Sequence, residues 1–342
     1  MHKYFPAFIT KRAELKSLRK LTPEVKANIS PVLEIIPDGM SLSDLVESLK
    51  THWNQPNHQI LIDFSNPELK ESNEDLYNLF RALIKVYKIN ALPVFTPNMS
   101  KERKELFKTL TTNKIKVAFR AKLYESNEKE VLSDFDEFLK EYKTPIDKVL
   151  LIVDCGHITA IEVLSYEYTV PRLIKEIDNA EKLIEVAVIS GVFPRDLNEF
   201  TDRPEPHLLE RLEQKLFNSI QEKSHLNIRY GDYGIRHPYH FPQSGKDAPT
   251  PSCSIKYSTE SNYIIYRGKK SENHELGTGQ YIEHSINLVN SQYFPGKSFC
   301  WGDKEILKIS KFQIGPDSSA GGSEKWINIS LSHHITLMSQ IQ

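Results

Sequence analysis

The chain has 342 residues, 39% hydrophobic and 10% aromatic, enough for a sizeable core arranged as two domains or as one barrel. Its 44 Lys and Arg nearly balance 45 Asp and Glu, so no net field draws it onto nucleic acid or an anionic membrane, although a local basic site stays open. Three widely spaced cysteines give neither a disulfide framework nor a zinc pattern and suit a reducing compartment. The start "MHKYFPAFITKR" has no charged-then-apolar leader, and no apolar run nears about 18 residues, so the expectation is a soluble, cytoplasmic protein.

In chain order, the strand candidates are "YFPAFIT", "ISPVLEII", "QILIDFS", "NALPVFTP", "KVAFRAKL", "KVLLIVDCG", "IEVAVISG" and "LNIRYGDY". Amphipathic segments separate them. In "DLYNLFRALIKVYK", Leu76, Leu79, Phe80, Leu83 and Val86 form one helical stripe. Ser41, Ser72 and Ser100 each precede an acid by two or three residues, which is N-cap chemistry. Eight strands alternating with helices predict a parallel sheet, because parallel neighbours need crossover connections. With no dinucleotide glycine fingerprint after the first strand, the fold class expected is α/β, a (β/α)8 TIM-like barrel over residues 1–234. The first crossover, "ELKSLRKLTPEVKAN", is short. Residues 235–342 break the rhythm. They are read as a Pro- and Gly-rich rim loop, a hairpin at "SIKYSTESNYIIYRG", a last barrel helix at "GQYIEHSINLVNSQ" and an extension packed on the barrel.

Several strand candidates end on a charge, and the C-terminal strand ends of such a barrel meet at one rim. That rim would collect Lys11, Arg12, Glu34, Asp63, Arg120, Asp154, Ser190, Arg229, Asp232 and Tyr233. Glu34, Asp63 and Asp154 suit a hard divalent cation, Mg2+ or Mn2+, or general acid–base work; the bland alternative is a structural ion network with the cations. Lys11, Arg12, Arg120 and Arg229 suit phosphate, with Arg267 on the hairpin joining them. In "RYGDYG", Asp232 is a catalytic candidate and Tyr233 a substrate contact. Ser190, in "SGVFPRDL", sits at a phosphate-accepting turn that lacks the second glycine of a nucleophile elbow. In "SHHIT", read as a strand, adjacent histidines point to opposite faces, which leaves His334 as a candidate acid or base and makes a shared metal implausible. Cys300, in the presumed turn "CWGD", is read as an inert thiol.

"YFPAFITKRAELKSLRKLTPEVKANISPVLEI" resembles the opening of the T-even phage beta-protein family, through Lys11, Arg12, Glu14 and Pro31 to Ile35. Asp63, Arg120, Asp154, "SGVFP", "YGDY", "YRGK" around Arg267, "WGD" and "HHIT" continue the likeness in order along nearly the whole chain. Ala13 stands where many relatives carry Gly. The resemblance implies a phage–host conflict setting such as antiviral defence and supplies no mechanism.

Two functions follow as expectations. One is a metal-dependent phosphoester hydrolase acting on a nucleotide or other phosphorylated substrate. The other is a non-catalytic module that senses a nucleotide or engages a protein partner in a defence complex. Duplex DNA binding is disfavoured, since no basic stripe has groove-reading spacing.

Overall fold

A computed structural model describes residues 4–341 except 54, 56–57, 113–114, 202, 204, 242–250 and 317–318. The later part of the expected rim loop (242–250) and two residues of the "PDSSAGGSE" loop lie outside the described residues. The strands, in chain order, are β1 (Tyr4–Ile9), β2 (Val32–Glu34), β3 (Gln59–Asp63), β4 (Asn90–Phe95), β5 (Val117–Lys122), β6 (Val149–His157), β7 (Val186–Gly191), β8 (His207–Glu210), β9 (Ile228–Asp232), β10 (Ile255–Ser258) and β11 (Asn262–Tyr266). β1 to β7 and β9 close a parallel barrel, in which β1 pairs with both β2 and β9. All eight expected barrel strands are present.

The helices are α1 (Arg12–Arg19), α2 (Pro23–Asn28), α3 (Leu42–His52), α4 (Asn73–Phe80), α5 (Lys101–Thr111), α6 (Glu128–Glu141), α7 (Ala160–Glu176), α8 (Leu212–Lys223), α9 (Gln280–Val289), α10 (Trp301–Ile309) and α11 (Ser323–Ile341). The short first crossover folds as α1 and α2. Ser41, Ser72 and Ser100 cap α3, α4 and α5 by accepting backbone N–H groups, and Ser72 forms a reciprocal box with Asp75.

Strand alternation divides the wall into two buried faces. Phe5, Ala7, Val32, Leu61, Leu92, Val94, Ala118, Leu150, Ile152, Ala187 and Ile189 fill the barrel interior with Tyr233. The opposite parity, including Phe8, Leu33, Ile62, Phe119, Val153, Val188 and Tyr230, packs against the helices. Both faces are covered, which explains strands that read as continuous apolar runs.

The C-terminal part differs from expectation in three ways. First, the segment "PHLLE", read as the start of a helix, contains β8. That strand leaves the barrel and pairs antiparallel with β11, giving the small sheet β10-β11-β8, so the insertion draws a strand from within 1–234. Second, α9 is not the last barrel helix. It belongs to a separate core with Ile255, Tyr257, Ile264, Ile306, Trp326 and Ile329, where Trp326 stacks on Tyr281 at 4.7 Å. The helix that packs against α1 is α11. Third, "SHHIT" lies in α11 and "CWGD" opens α10; neither is a strand or a bare turn.

Candidate functional site

Parity turns Glu34, Asp63, Arg120 and Asp154 into the barrel, one residue pair above the apolar plug. Arg120, 1% exposed, sits among the acids. Its Nη1 donates to Glu34 Oε1 at 2.6 Å and to Asp63 Oδ2 at 2.8 Å. Its Nε and Nη2 both donate to Asp154 Oδ2, at 2.9 and 2.6 Å. Tyr233 Oη lies 2.9 Å from Arg120 Nη2 and donates to Asp154 at 2.6 Å. The planar fork of a guanidinium is the group that can satisfy several carboxylates at once. Glu34, Asp63 and Asp154 therefore do share a cation, and in this structure that cation is Arg120.

The electrostatics follow from this geometry. Burial pushes the Asp63 carboxyl up, but Arg120, Lys122 and the Ser65 backbone N–H outweigh it and leave it below the ordinary value. Burial alone would weaken the Arg120 charge, whereas Asp154, Glu34 and Asp63 hold it firmly protonated.

The segment 235–241 lies over this network. Arg236 reaches Glu34 Oε2 at 3.4 Å and Glu14 Oε1 at 3.6 Å, with its guanidinium 5.0 Å from the Tyr233 ring centre. Glu14, which also accepts the Ile9 N–H, is raised to about 7, chiefly by burial. Tyr239 packs on Tyr124, and His237 stacks on His157 at 4.9 Å. Gly156, at φ +62°, makes room for this cover, since a Cβ there would strike Tyr124 and the Tyr239 hydroxyl. What stays open is a hollow of about 170 Å³ beside Glu34, Asp63, Lys122, Tyr124 and His240. Lys11 stands at this edge and bonds the Asp38 carboxylate at 2.7 Å, which His240 also meets. Arg12 is exposed on the first turn of α1.

Four expected site residues lie elsewhere. Arg229 is the second residue of β9, at the strand's N-terminal end, and pairs with Glu185 at the foot of the barrel. Ser190 shares the outward parity of Val186 and Val188 and is buried. Asp232 also faces outward. It meets His334, as a catalytic pair would, but both are sealed between wall and helices. Asp232 accepts from Tyr4 Oη at 2.5 Å and Tyr230 Oη at 2.7 Å, and His334 Nε2 is 3.0 Å away. His334 Nδ1 contacts Ser258 Oγ, and Arg211 links Tyr230 to Glu213. Burial would raise the Asp232 carboxyl, but His334, Arg211 and the Tyr4 hydroxyl hold it far below the usual range. Asp232 and His334 are both fully buried, so among the described residues this network is closed to solvent.

Arg267 reaches the larger opening. A cleft of about 610 Å³ runs along the rim between the loop after β7 (Arg195 to Asn198), Ile235 after β9, β10, and the first turns of α11. Arg195, Lys256, Arg267 and Lys270 line it and, among the described residues, Asp196 is the one acid in the lining. Lys256 donates to the Ile235 carbonyl at 2.9 Å, and burial together with Arg267 lowers it to about 8. The Trp326 indole N–H, also in the lining, has no hydrogen-bond partner among the described residues. The loops after the seventh and eighth barrel strands are where barrels of this architecture frequently seat phosphate. Lys256, Arg195 and Lys270 escaped notice in the sequence because they gather only once the hairpin folds back on the rim.

The fold and these sites define a (β/α)8-barrel protein with a charge-filled mouth and a basic rim cleft. The chain belongs to the Beta protein family, whose model matches residues 4–340. No curated protein matches the chain. Among solved structures it is similar to a mandelate racemase/muconate lactonizing protein from Herpetosiphon aurantiacus, at 10% identity and TM-score 0.37, covering 78% of this chain and 63% of that one. The chain thus spans under two-thirds of that protein's length. It is also similar to FabK from Thermotoga maritima, at 10% identity and TM-score 0.37, covering 99% and 90%. Among the described residues, no helix is long and apolar enough to cross a membrane.

Proposed function

We propose that this protein binds a phosphorylated small molecule or nucleotide in the rim cleft and acts as a ligand-sensing module in phage–host conflict, in the cytoplasm. The observation that carries the binding reading is the gathering of Arg195, Lys256, Arg267 and Lys270 in one cleft beside the loops after β7 and β9. In a chain whose charges otherwise balance, the described lining of this cleft is predominantly basic, which favours an anionic ligand. The antiviral setting rests on the family resemblance, and a protein partner would read the liganded state.

The test is calorimetric titration of nucleoside mono-, di- and triphosphates and inorganic phosphate, with and without Mg2+ or Mn2+. Saturable binding that falls at least about tenfold in Arg267→Ala, a loss of roughly 1.4 kcal/mol, supports the reading. No binding of any phosphorylated compound removes it.

A second reading, a metal-dependent phosphoester hydrolase, is favoured by the hollow that Glu34 and Asp63 line. It requires those acids to exchange Arg120 for an ion. Mg2+- or Mn2+-dependent turnover abolished by Asp63→Asn, with folding retained, would establish it over the binding reading.

A further inference from the structure

Cys300, Asp303 and His333 come together on the far side of β10 from the barrel wall, in the C-terminal core. Cys300 caps α10, and Asp303 lies one turn on, so both face the same way; His333 projects from the middle of α11. Their Sγ, carboxylate oxygen and ring nitrogen all lie within 4.8 Å of one another, and no other group of three or more such residues does so among the described residues. Asp303 Oδ2 is the shared vertex, 2.9 Å from Cys300 Sγ and 2.9 Å from His333 Nδ1.

A second observation concerns the histidine's tautomer. His333 Nε2 lies 2.9 Å from the Ser258 backbone carbonyl, an acceptor only, so Nε2 carries a proton. In the neutral ring Nδ1 is then a bare lone pair aimed at a carboxylate oxygen. That contact is met either by a second ring proton, which makes His333 an imidazolium paired with Asp303, or by a metal ion between the two. The other Asp303 oxygen is fixed by the Tyr257 hydroxyl at 2.6 Å, and the Tyr257 ring stacks on His333 at 3.9 Å. Outer-shell partners that fix a ligand histidine's tautomer and a ligand carboxylate's orientation are what metal sites use.

We infer that Cys300, Asp303 and His333 form a site for a zinc-class divalent ion, with His333 binding through Nδ1 and water completing the shell. The mixed sulfur, nitrogen and oxygen set suits Zn2+ or Co2+ better than Mg2+ or Ca2+. Metal–ligand lengths of about 2.0–2.3 Å separate ligand atoms by roughly 3.3–3.7 Å, so loading spreads the present contacts by under about 1 Å. On loading, the Cys300 thiol proton, and any proton shared by His333 and Asp303, pass to solvent. Cys300 is partly exposed and provides the entry side. Such an ion would clamp α10 to α11 and stiffen the wall behind the C-terminal core. The inference is independent of the rim cleft.

The experiment is titration of the chelator-treated full chain with Co2+, read by absorbance, followed by competition with Zn2+. The expected result is stoichiometric binding with a thiolate-to-cobalt charge-transfer band. That band should disappear in Cys300→Ser, with affinity at least about tenfold lower and an unchanged far-ultraviolet circular dichroism spectrum. If that variant fails to fold, the native spectrum alone decides. Absence of the thiolate band in the native protein, or Co2+ affinity equal in Cys300→Ser, overturns the site and leaves a proton as the shared cation.

Discussion

Asp154, three residues before the end of β6, and Asp232, the last residue of β9, are held in the same local way. Each accepts the backbone N–H of a glycine two residues on, Gly156 and Gly234, and both glycines have positive φ. Yet Asp154 faces the barrel interior and joins Arg120 below a partly open mouth, whereas Asp232 faces the helices and joins His334 and Tyr4 in a sealed layer. The difference is one of parity: Asp154 follows Leu150 and Ile152 on the inner face, and Asp232 follows Ile228 and Tyr230 on the outer one. A charge at a strand end is therefore a site candidate only when its parity points inward.

The largest test of this contrast removes the central cation of the inner network. Arg120→Met leaves three carboxylates gathered without their partner and should cost about 3–5 kcal/mol, or prevent folding, in urea unfolding. A loss under about 1 kcal/mol would mean the acids are solvated and the mouth is open.

Next comes Glu14, which helps hold Arg236 over the mouth. Its folded value of about 7 exceeds the ordinary 4.5, so the folded state keeps an extra proton between those values and loses stability as pH rises from about 4.5 to about 7. Glu14→Gln should abolish that slope and be more stable than the native chain at pH 8, by on the order of 1–3 kcal/mol, measured by unfolding at several pH values. An unchanged slope would place the titration elsewhere.

His334→Ala strands Asp232 in the outer network. It should destabilise by about 2 kcal/mol while leaving ligand affinity in the rim cleft unchanged. Any large change in affinity would break the distinction between structural and functional networks. The smallest effect is expected for Tyr233→Phe, which removes one hydroxyl between Arg120 and Asp154 and should cost about 1 kcal/mol in the same assay.

The barrel was legible because eight apolar runs alternated with amphipathic helices, and the convergence of Glu34, Asp63, Arg120 and Asp154 followed from closing it. Parity was not legible, since a parallel barrel buries both faces of each strand and leaves no polar alternation to reveal the inside. Asp232 and Ser190 were misplaced for that reason; Arg229 has the inward parity but lies at the wrong end of β9. β8 was hidden because "HLLE" continues the spacing of α8, and only its pairing with β11, some fifty residues away, makes it a strand. The two histidines of "SHHIT" read as strand residues. In α11 they diverge to serve two different carboxylates, Asp303 and Asp232.

The most direct measurement is calorimetric binding of nucleotides to the native chain, Arg267→Ala and Lys256→Gln at pH 7 and pH 9. The account predicts saturable binding to the native chain, at least about tenfold weaker in both variants. It also predicts native affinity falling as pH rises through about 8, where Lys256 loses its charge. Binding that is absent, or indifferent to Arg267, Lys256 and pH, would contradict it.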